Sequence, residues 1–584
     1  MQTTMVPPGG MPQPYLPDAG QTAPFDGTQG VLPQATPAAS QRPAWLPEAL
    51  TLAGLGAFAL LVRLAALMQP QRMVWGDEPF YLWLGRNWLT GQGYSFTGYS
   101  DVHHSPMYPL LSGVFYLLTH NMEVASDICY VLFGVLLILP IYLLAKEMYG
   151  RGVGVVSVLL LSIYPAIATA PLFWGTLTEP PYYFFVYAGL WLALLAIRRG
   201  RGWQHLLAGM SFGLAYLTRP EAIAYVAIGL GVLILIRLFE KRLLTSATLT
   251  GLALYLLGFL LFFGPYAFYV HQHTGSWMIS EKAGVTFVTC IGLSEGNTAA
   301  FDRATWGLDS TGREVFFFSQ ESYNVSMLDV IRAHPQEFVQ LLVRNVRRFA
   351  DSLLSSRLFP YFFLPLVGLA LFQAAWDKAR AKGELLLLAS LTPVMAFLLF
   401  FIQDRYIATL LPTLVIWLGL GAYSLGDWLR ATLVNLREGH RLGRVWRVTL
   451  VMLPTLALLL YLALTQPRAI AGYTNIGSFR IEHKTVGLWL KDNIPHDSVV
   501  MSRFPAFAFY GDTRWEPTPN ADYAQVLAYA KANGVTHLVL DEEETRELRP
   551  QFTFLLNKNT IPPELELLHV DDSARGRILV FRFK

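Results

Sequence analysis

Apolar residues in this chain gather in blocks too long for a soluble core. They occupy 45–68, 124–145, 153–171, 182–197, 203–217, 222–236, 249–269, 358–375, 385–402, 406–425 and 448–465. Most approach the length needed to cross a hydrocarbon layer of ~30 Å, and the shorter ones require tilt or local thinning of the bilayer. The pattern predicts about eleven transmembrane helices.

The stretch 74–111 breaks this pattern. It holds Asp77 and Glu78 side by side, a Gly-rich turn and the pair His103-His104, directly after the first apolar block. Pro79 favours a helix opening at the acidic pair, with Phe80, Leu84 and Trp88 on one stripe, and such a helix lies in the membrane interface. Residues 107–119 are apolar but too few to span, and Pro106 and Pro109 open them. They read as a second juxtamembrane helix.

The end of the chain changes period. Residues 484–493 and 522–533 read as amphipathic helices, the second with Asn520 or Ala521 near its start and Gly534 as a left-handed terminator. Residues 498–502, 536–541 and 577–583 read as short β-strands. The segment lacks a phosphate-binding Gly-rich loop and metal-ligand spacing, which favours a structural, lid or acceptor-binding role over catalysis. Residues 1–44, rich in Pro, Gly, Gln and Ala, are expected to form a disordered cytoplasmic tail. No internal repeat is present. The expected fold class is thus a membrane all-α bundle over 45–466 plus a small extracytoplasmic α/β domain over 467–584.

Composition sharpens this picture. Of 584 residues, 53% are hydrophobic and 15% charged, where soluble chains carry roughly 25% charged residues. A net charge of +3 is too small to argue for a nucleic-acid partner. Cys129 and Cys290 are too few for a disulfide framework and read as free thiols. Basic residues fall in alternate loops: Lys146/Arg151, Arg198/Arg199/Arg201, Arg237/Lys241/Arg242, Lys378/Arg380/Lys382 and the group at 430–447. This bias places those loops in the cytoplasm. It leaves 69–123, the long loop 271–357 and the tail after Gln466 outside, in a multi-pass protein of the cell membrane.

Charges are scarce between the ends of the spans, where each costs ~2.5–3.5 kcal/mol. They collect instead at the outer face: Asp77, Glu78, His103, His104, Glu179, Arg219, Glu221, Asp404 and Arg405, from five separate loops. Neighbours on a helix point about 100° apart, so Asp77 and Glu78 are expected to do different work. Asp77 suits a general base toward a hydroxyl; the bland alternative is a helix cap. His103 and His104 suit phosphate binding, since adjacent histidines seldom chelate one metal unaided. Glu179, Arg219, Glu221, Arg405 and Tyr406 are candidate substrate-binding groups, with helix ends and interfacial anchoring as the structural alternative.

The acidic pair after the first span, the Gly-Tyr turn and His103-His104-x-Pro106-x-Tyr108-Pro109-Leu110 resemble the polyprenyl-phosphate-sugar-dependent glycosyltransferases of the GT-C superfamily. Thr178-Glu179-Pro180, Leu217-Thr218-Arg219-Pro220-Glu221 and Arg405-Tyr406 with Leu410-Leu411-Pro412 resemble the branch of protein O-mannosyltransferases and the lipid A aminoarabinose transferase. The resemblance implies inverting transfer from a lipid-phosphate-linked sugar to a hydroxyl of a lipid, glycan or protein on the outer face. It makes Asp77 the base and Glu78 its partner. Some relatives carry other polar or basic residues where this chain has the two histidines. No cofactor is required by this reading, and a divalent cation near Glu78 or the histidines is compatible with it; the metal-ligand set is left open. A lipid-linked sugar flippase is the alternative of another class, and it calls for polar groups deep in the bundle or paired broken helices.

Overall fold

The computed structural model describes residues 46–70, 72–294, 298–323, 325–436, 444–474, 479–573 and 575–584. The expected tail at 1–44 and part of the basic group at 430–447 lie outside these residues. Two compact units are distinguished, 1–50 and 51–584, and only the opening turn of α1 is described in the first.

The chain folds mainly into helices. From the start they are α1 (Leu46–Leu67), α2 (Glu78–Leu89), α3 (Met107–Thr119), α4 (Met122–Leu136), α5 (Ile138–Tyr149), α6 (Arg151–Ile163), the short α7 (Pro165–Ala168), α8 (Glu179–Arg199), α9 (Gly202–Thr218), α10 (Ile223–Phe239) and α11 (Ser246–Thr274). The long loop contributes α12 (Lys282–Ser294), α13 (Thr298–Trp306), α14 (Met327–Ala333) and α15 (Pro335–Leu353). The bundle closes with α16 (Leu364–Phe372), α17 (Lys378–Ala389), α18 (Asp404–Ile407), α19 (Leu411–Leu436) and α20 (Arg444–Thr474).

Among the described residues, eight helical stretches are long and apolar enough to cross a membrane. The remaining expected spans are helical but shorter. α6 has 13 residues and α9 has 17; at 1.5 Å per residue, 13 residues reach only about 20 Å. Pro165 causes the first shortfall: Tyr164 is extended before it, and the chain continues as α7 and a 3₁₀ turn. The third, Tyr361–Phe372, opens in a 3₁₀ turn after Pro360. Helix 107–119 is present as expected, as α3.

α17 starts earlier than the apolar run suggests, because Asp377 caps it by accepting from the Arg380 backbone N–H. This carries Glu384 into a span. The fully buried carboxylate accepts from Tyr149 Oη at 2.7 Å, Arg380 Nε at 3.0 Å and Trp417 Nε1 at 3.0 Å. The spans are therefore less free of charge than the sequence indicates, and Glu384 is hydrogen-bonded through both oxygens, as an acid in apolar surroundings must be.

After α20 the chain alternates α21 (Glu482–Asn493), β1 (Val499–Ser502), α22 (Ala506–Gly511), β2 (Arg514–Pro517), α23 (Tyr523–Ala532), β3 (His537–Asp541), α24 (Glu542–Leu548), β4 (Leu565–Ser573) and β5 (Gly576–Phe583). The five strands form one sheet in the order β2-β1-β3-β5-β4. β1 runs parallel to β2 and β3, and β5 antiparallel to β3 and β4. α23 is capped by Asp522 through a reciprocal box with Gln525, one residue beyond the expected cap, and Gly534 follows with φ +66°.

The sheet shares its core with α2. Trp515 of β2 packs on Phe80 at 5.2 Å, Phe318 at 5.8 Å and Trp83 at 6.3 Å between ring centres. Tyr510 Oη accepts from the Val74 backbone N–H at 2.7 Å and donates to Glu123 at 2.9 Å. Cys129 and Cys290 are both free and buried.

α13 is latched to the sheet through Asp302, whose buried carboxylate accepts from Arg503 at 2.7 Å, Asn520 at 2.7 Å and Arg549 at 3.2 Å. Glu544 meets the same arginines, 3.7 Å from Arg503 and 3.8 Å from Arg549. Burial pushes its pKa up to about 7, against the pull of the arginines. The folded state thus binds this proton more tightly than the unfolded chain. Its contribution to stability is complete at low pH and declines as pH rises from the ordinary value of 4.5 through about 7. Glu544→Gln is therefore expected to gain thermal stability relative to the parent between pH 5 and 8. A difference in melting temperature that does not vary with pH would contradict this.

Candidate active site

The site is built where the segment before α2 crosses the segment before α8. Gly76 has φ +62° and Gly175 φ +70°. A Cβ on Gly76 would lie 2.8 Å from the Gly175 carbonyl oxygen, so the backbones touch where a side chain has no room. That carbonyl accepts from the backbone N–H groups of Asp77 and Glu78 at 2.8 and 2.9 Å. With the first turn of α2 satisfied from outside, the Asp77 side chain makes no capping bond. The capping alternative is not realised, and the carboxylate, 37% exposed, is left to a cavity.

This cavity of about 400 Å³ is lined by Trp75, Asp77, Trp174, Arg357, Gln403, Asp404, Arg405 and Tyr473, among others. Lys282 Nζ, at the start of α12, stands 3.7 Å from Asp77 Oδ2. Arg357 Nε lies 3.4 Å from Asp404. Arg405 donates to Tyr406 Oη at 3.0 Å, while its Nε has no hydrogen-bond partner among the described residues. Three cations therefore face two carboxylates, which leaves room for an anion. Burial alone would raise the Asp77 pKa, but Lys282, Arg405 and His104 hold it below the ordinary value of 3.8. The carboxylate is ionised at neutral pH and can accept a proton.

Beside the cavity runs a chain of stacked and paired groups. Arg405 and Arg219 lie over the Tyr406 ring at 5.0 and 5.3 Å, and Arg219 also lies over Tyr182 at 5.5 Å. Arg219 is paired with Glu179 at 2.8 Å and with Glu221 at 2.5 Å. Thr176 Oγ1 donates to the Glu179 carboxylate at 2.9 Å. Asp77, Glu179, Arg219, Glu221, Arg405 and Tyr406 thus form one contiguous group, assembled from four segments far apart in the chain.

Three expected site residues lie elsewhere. Glu78, the expected partner of Asp77, points away from the cavity and is fully buried. It pairs with Arg72 at 2.9 Å and accepts from Ser126 Oγ at 2.8 Å. The turn of about 100° between helix neighbours separates it from Asp77. Arg72 also bonds Asp127 at 3.0 Å. Burial opposes its charge, yet the two carboxylates hold its pKa above the ordinary value. His103 and His104, expected to hold a phosphate, are each buried against an acid. His103 Nδ1 meets Glu281, and His104 Nδ1 lies 3.1 Å from Asp101. His103 stacks on Phe317 at 5.2 Å, and His104 packs against Tyr81 at 5.0 Å. Neither lines the cavity.

Lys282, Arg357, Gln403 and Tyr473 are among the residues that sequence reasoning missed. Lys282 and Arg357 sit near the two ends of the long loop, in no motif or period, and only the fold brings them to Asp77. No group of three or more His, Cys, Asp or Glu among the described residues is placed to hold a metal ion.

Comparison with known proteins supplies context. Residues 103–263 match the family described as dolichyl-phosphate-mannose-protein mannosyltransferase. The fold is similar to apo ArnT from Cupriavidus metallidurans (TM-score 0.54, 14% identity, covering 92% of this chain and 98% of that one). It is also similar to the same protein bound to undecaprenyl phosphate (0.51, 13%, 92% and 98%). A further match is the archaeal oligosaccharyltransferase AglB from Archaeoglobus fulgidus, in complex with an inhibitory peptide and a dolichol-phosphate (0.51, 15%, 92% and 74%). No curated protein matches by sequence. At these identities the likeness establishes the shared fold.

Proposed function

We propose that this GT-C-fold membrane protein transfers a sugar from a polyprenyl-phosphate-linked donor to a hydroxyl acceptor, on the extracytoplasmic side and with inversion at the anomeric carbon. The observation that carries the reading is the Asp77 side chain, free of any capping bond, in a cavity whose neighbouring charged groups are cationic in excess. The structures of similar fold bound to undecaprenyl phosphate and dolichol-phosphate support a donor of that lipid class. The peptide in the archaeal complex makes protein one acceptor class to test beside lipid and glycan.

In this mechanism Asp77 takes the proton of the acceptor hydroxyl. The hydroxyl oxygen attacks the anomeric carbon from the face opposite the phosphate, through a transition state of oxocarbenium character. The carbon–oxygen bond to phosphate breaks, and its electron pair leaves with the lipid phosphate. Arg405, Arg357 and Lys282 neutralise the charge that grows there, as cations aimed at a leaving phosphate do. Arg219 and Glu179 hold Tyr406 and, through it, the Arg405 guanidinium. Lys- and Arg-rich loops alternate with the segments that bear the cavity, which supports an outward-facing site and a cell-membrane location.

The test is incubation of the purified full chain in lipid nanodiscs with labelled polyprenyl-phosphate mannose, arabinose and glucose, with and without EDTA. Release of polyprenyl phosphate with formation of an inverted glycoside is expected from one donor. Movement of the intact donor across a vesicle membrane, with no glycoside formed, would replace this reading with a flippase.

A further inference from the structure

α15 has a face that the rest of the protein leaves uncovered. Its inner side is fixed: Leu341 and Asn345 are fully buried, and the helix packs against α12 and α18. Val339, Val343, Val346 and Ala350, at spacings of four, three and four, lie on the exposed side. The three valines are 49–57% exposed. On a helix these positions fall within an arc of about 60°, a continuous apolar stripe. Gln336, Gln340, Arg347, Arg348 and Asp351, also exposed, lie off this stripe. Neither Arg347 nor Arg348 has an acidic partner among the described residues.

Asn345 sets the height of this stripe. Its Nδ2 donates to the carbonyls of Leu398 at 2.9 Å and Phe400 at 3.0 Å. These groups lie at the unwound end of the candidate span Lys378–Leu399, where Met395 and Leu399 are 40% and 36% exposed. A helix pinned to the end of a lipid-facing span lies at the boundary of the bilayer. We propose that α15 is an in-plane helix whose valine stripe rests in an anionic lipid surface, with Arg347 and Arg348 at the level of the headgroups. A helix with one apolar and one basic face binds such a surface through both. Because α15 packs on α18 and leads directly to Arg357, the contact fixes the cavity rim at headgroup height, where a lipid-borne phosphate arrives. The inference rests on the membrane-spanning fold and not on the proposed chemistry.

The test places a nitroxide on the full chain in nanodiscs of phosphatidylcholine, with and without phosphatidylglycerol. Cys129→Ala and Cys290→Ala remove the native thiols. Labels at Val339→Cys, Val343→Cys and Val346→Cys are expected to be relaxed more by oxygen than by an aqueous nickel chelate, and labels at Gln336→Cys and Gln340→Cys the reverse. With Arg347→Glu/Arg348→Glu, the label at position 343 is expected to become shallower in the phosphatidylglycerol discs and to stay unchanged in pure phosphatidylcholine. Equal access of the nickel chelate at 340 and 343 would overturn the proposal. So would shielding of 343 from both reagents with dipolar broadening, the sign of a second copy packed on the stripe. Identical depths in the two lipids for parent and variant would overturn its anionic component.

Discussion

Replacing Asp77 with Asn is expected to lower the rate of sugar transfer about 10²–10⁴-fold, the range over which a positioned general base acts, while the melting temperature stays near that of the parent. The two parts of this expectation have separate causes. The amide cannot take the acceptor proton, whereas the fold loses little because the Asp77 side chain caps nothing. The anchoring bonds to Gly175 come from the backbone and survive the substitution. Burial works to raise the Asp77 pKa, but Lys282 and Arg405 hold it below its ordinary value. The active form is the carboxylate, so the parent rate should be flat through neutral pH and fall only as pH drops through that lowered value. Lys282→Met removes the nearest cation and should move this acid limb to higher pH. Steady-state rates across pH, measured on protein with a confirmed melting transition, check both points. Full activity in the Asn variant would move the base to another residue.

The neighbouring substitution is expected to do the opposite. Glu78→Gln should leave the turnover of the surviving protein close to the parent and lower its stability by about 3 kcal/mol, the cost of breaking a buried ion pair. The guanidinium of Arg72 is 6% exposed and would keep only Asp127 as a charged partner. Thermal unfolding in detergent, set beside turnover per folded molecule, separates the two effects. A stable but inactive Gln variant would return Glu78 to the chemistry and require the cavity to be redrawn.

This division of labour was partly legible in the sequence. Adjacent positions on a helix diverge, which told that Asp77 and Glu78 differ, and Pro79 marked where the helix opens. α3 was legible because two prolines and a short apolar run exclude a span. The strands β1, β3 and β5 were legible from β-branched and aromatic runs. β4 was not: as an edge strand it pairs only with β5 and tolerates the polar sequence His569 to Asp572, which dilutes any alternation. β2, four residues long, gives too short a pattern to read. The histidine pair misled because sequence shows residue type and not the partner. Asp101 stands three positions before His104 and was available as its acid, but Glu281 is distant in the chain and only the fold presents it to His103. Lys282 reached Asp77 by the same route.

The crossing of Gly76 and Gly175 has a further implication. It ties Asp77 to the main chain of the segment before α8, with no intervening side chain to flex or be exchanged. The position of the Asp77 carboxylate is thereby insulated from drift in the cavity wall, where Trp174, Gln403 and Tyr473 stand. Substitutions can reshape that wall while the Asp77 carboxylate keeps its address.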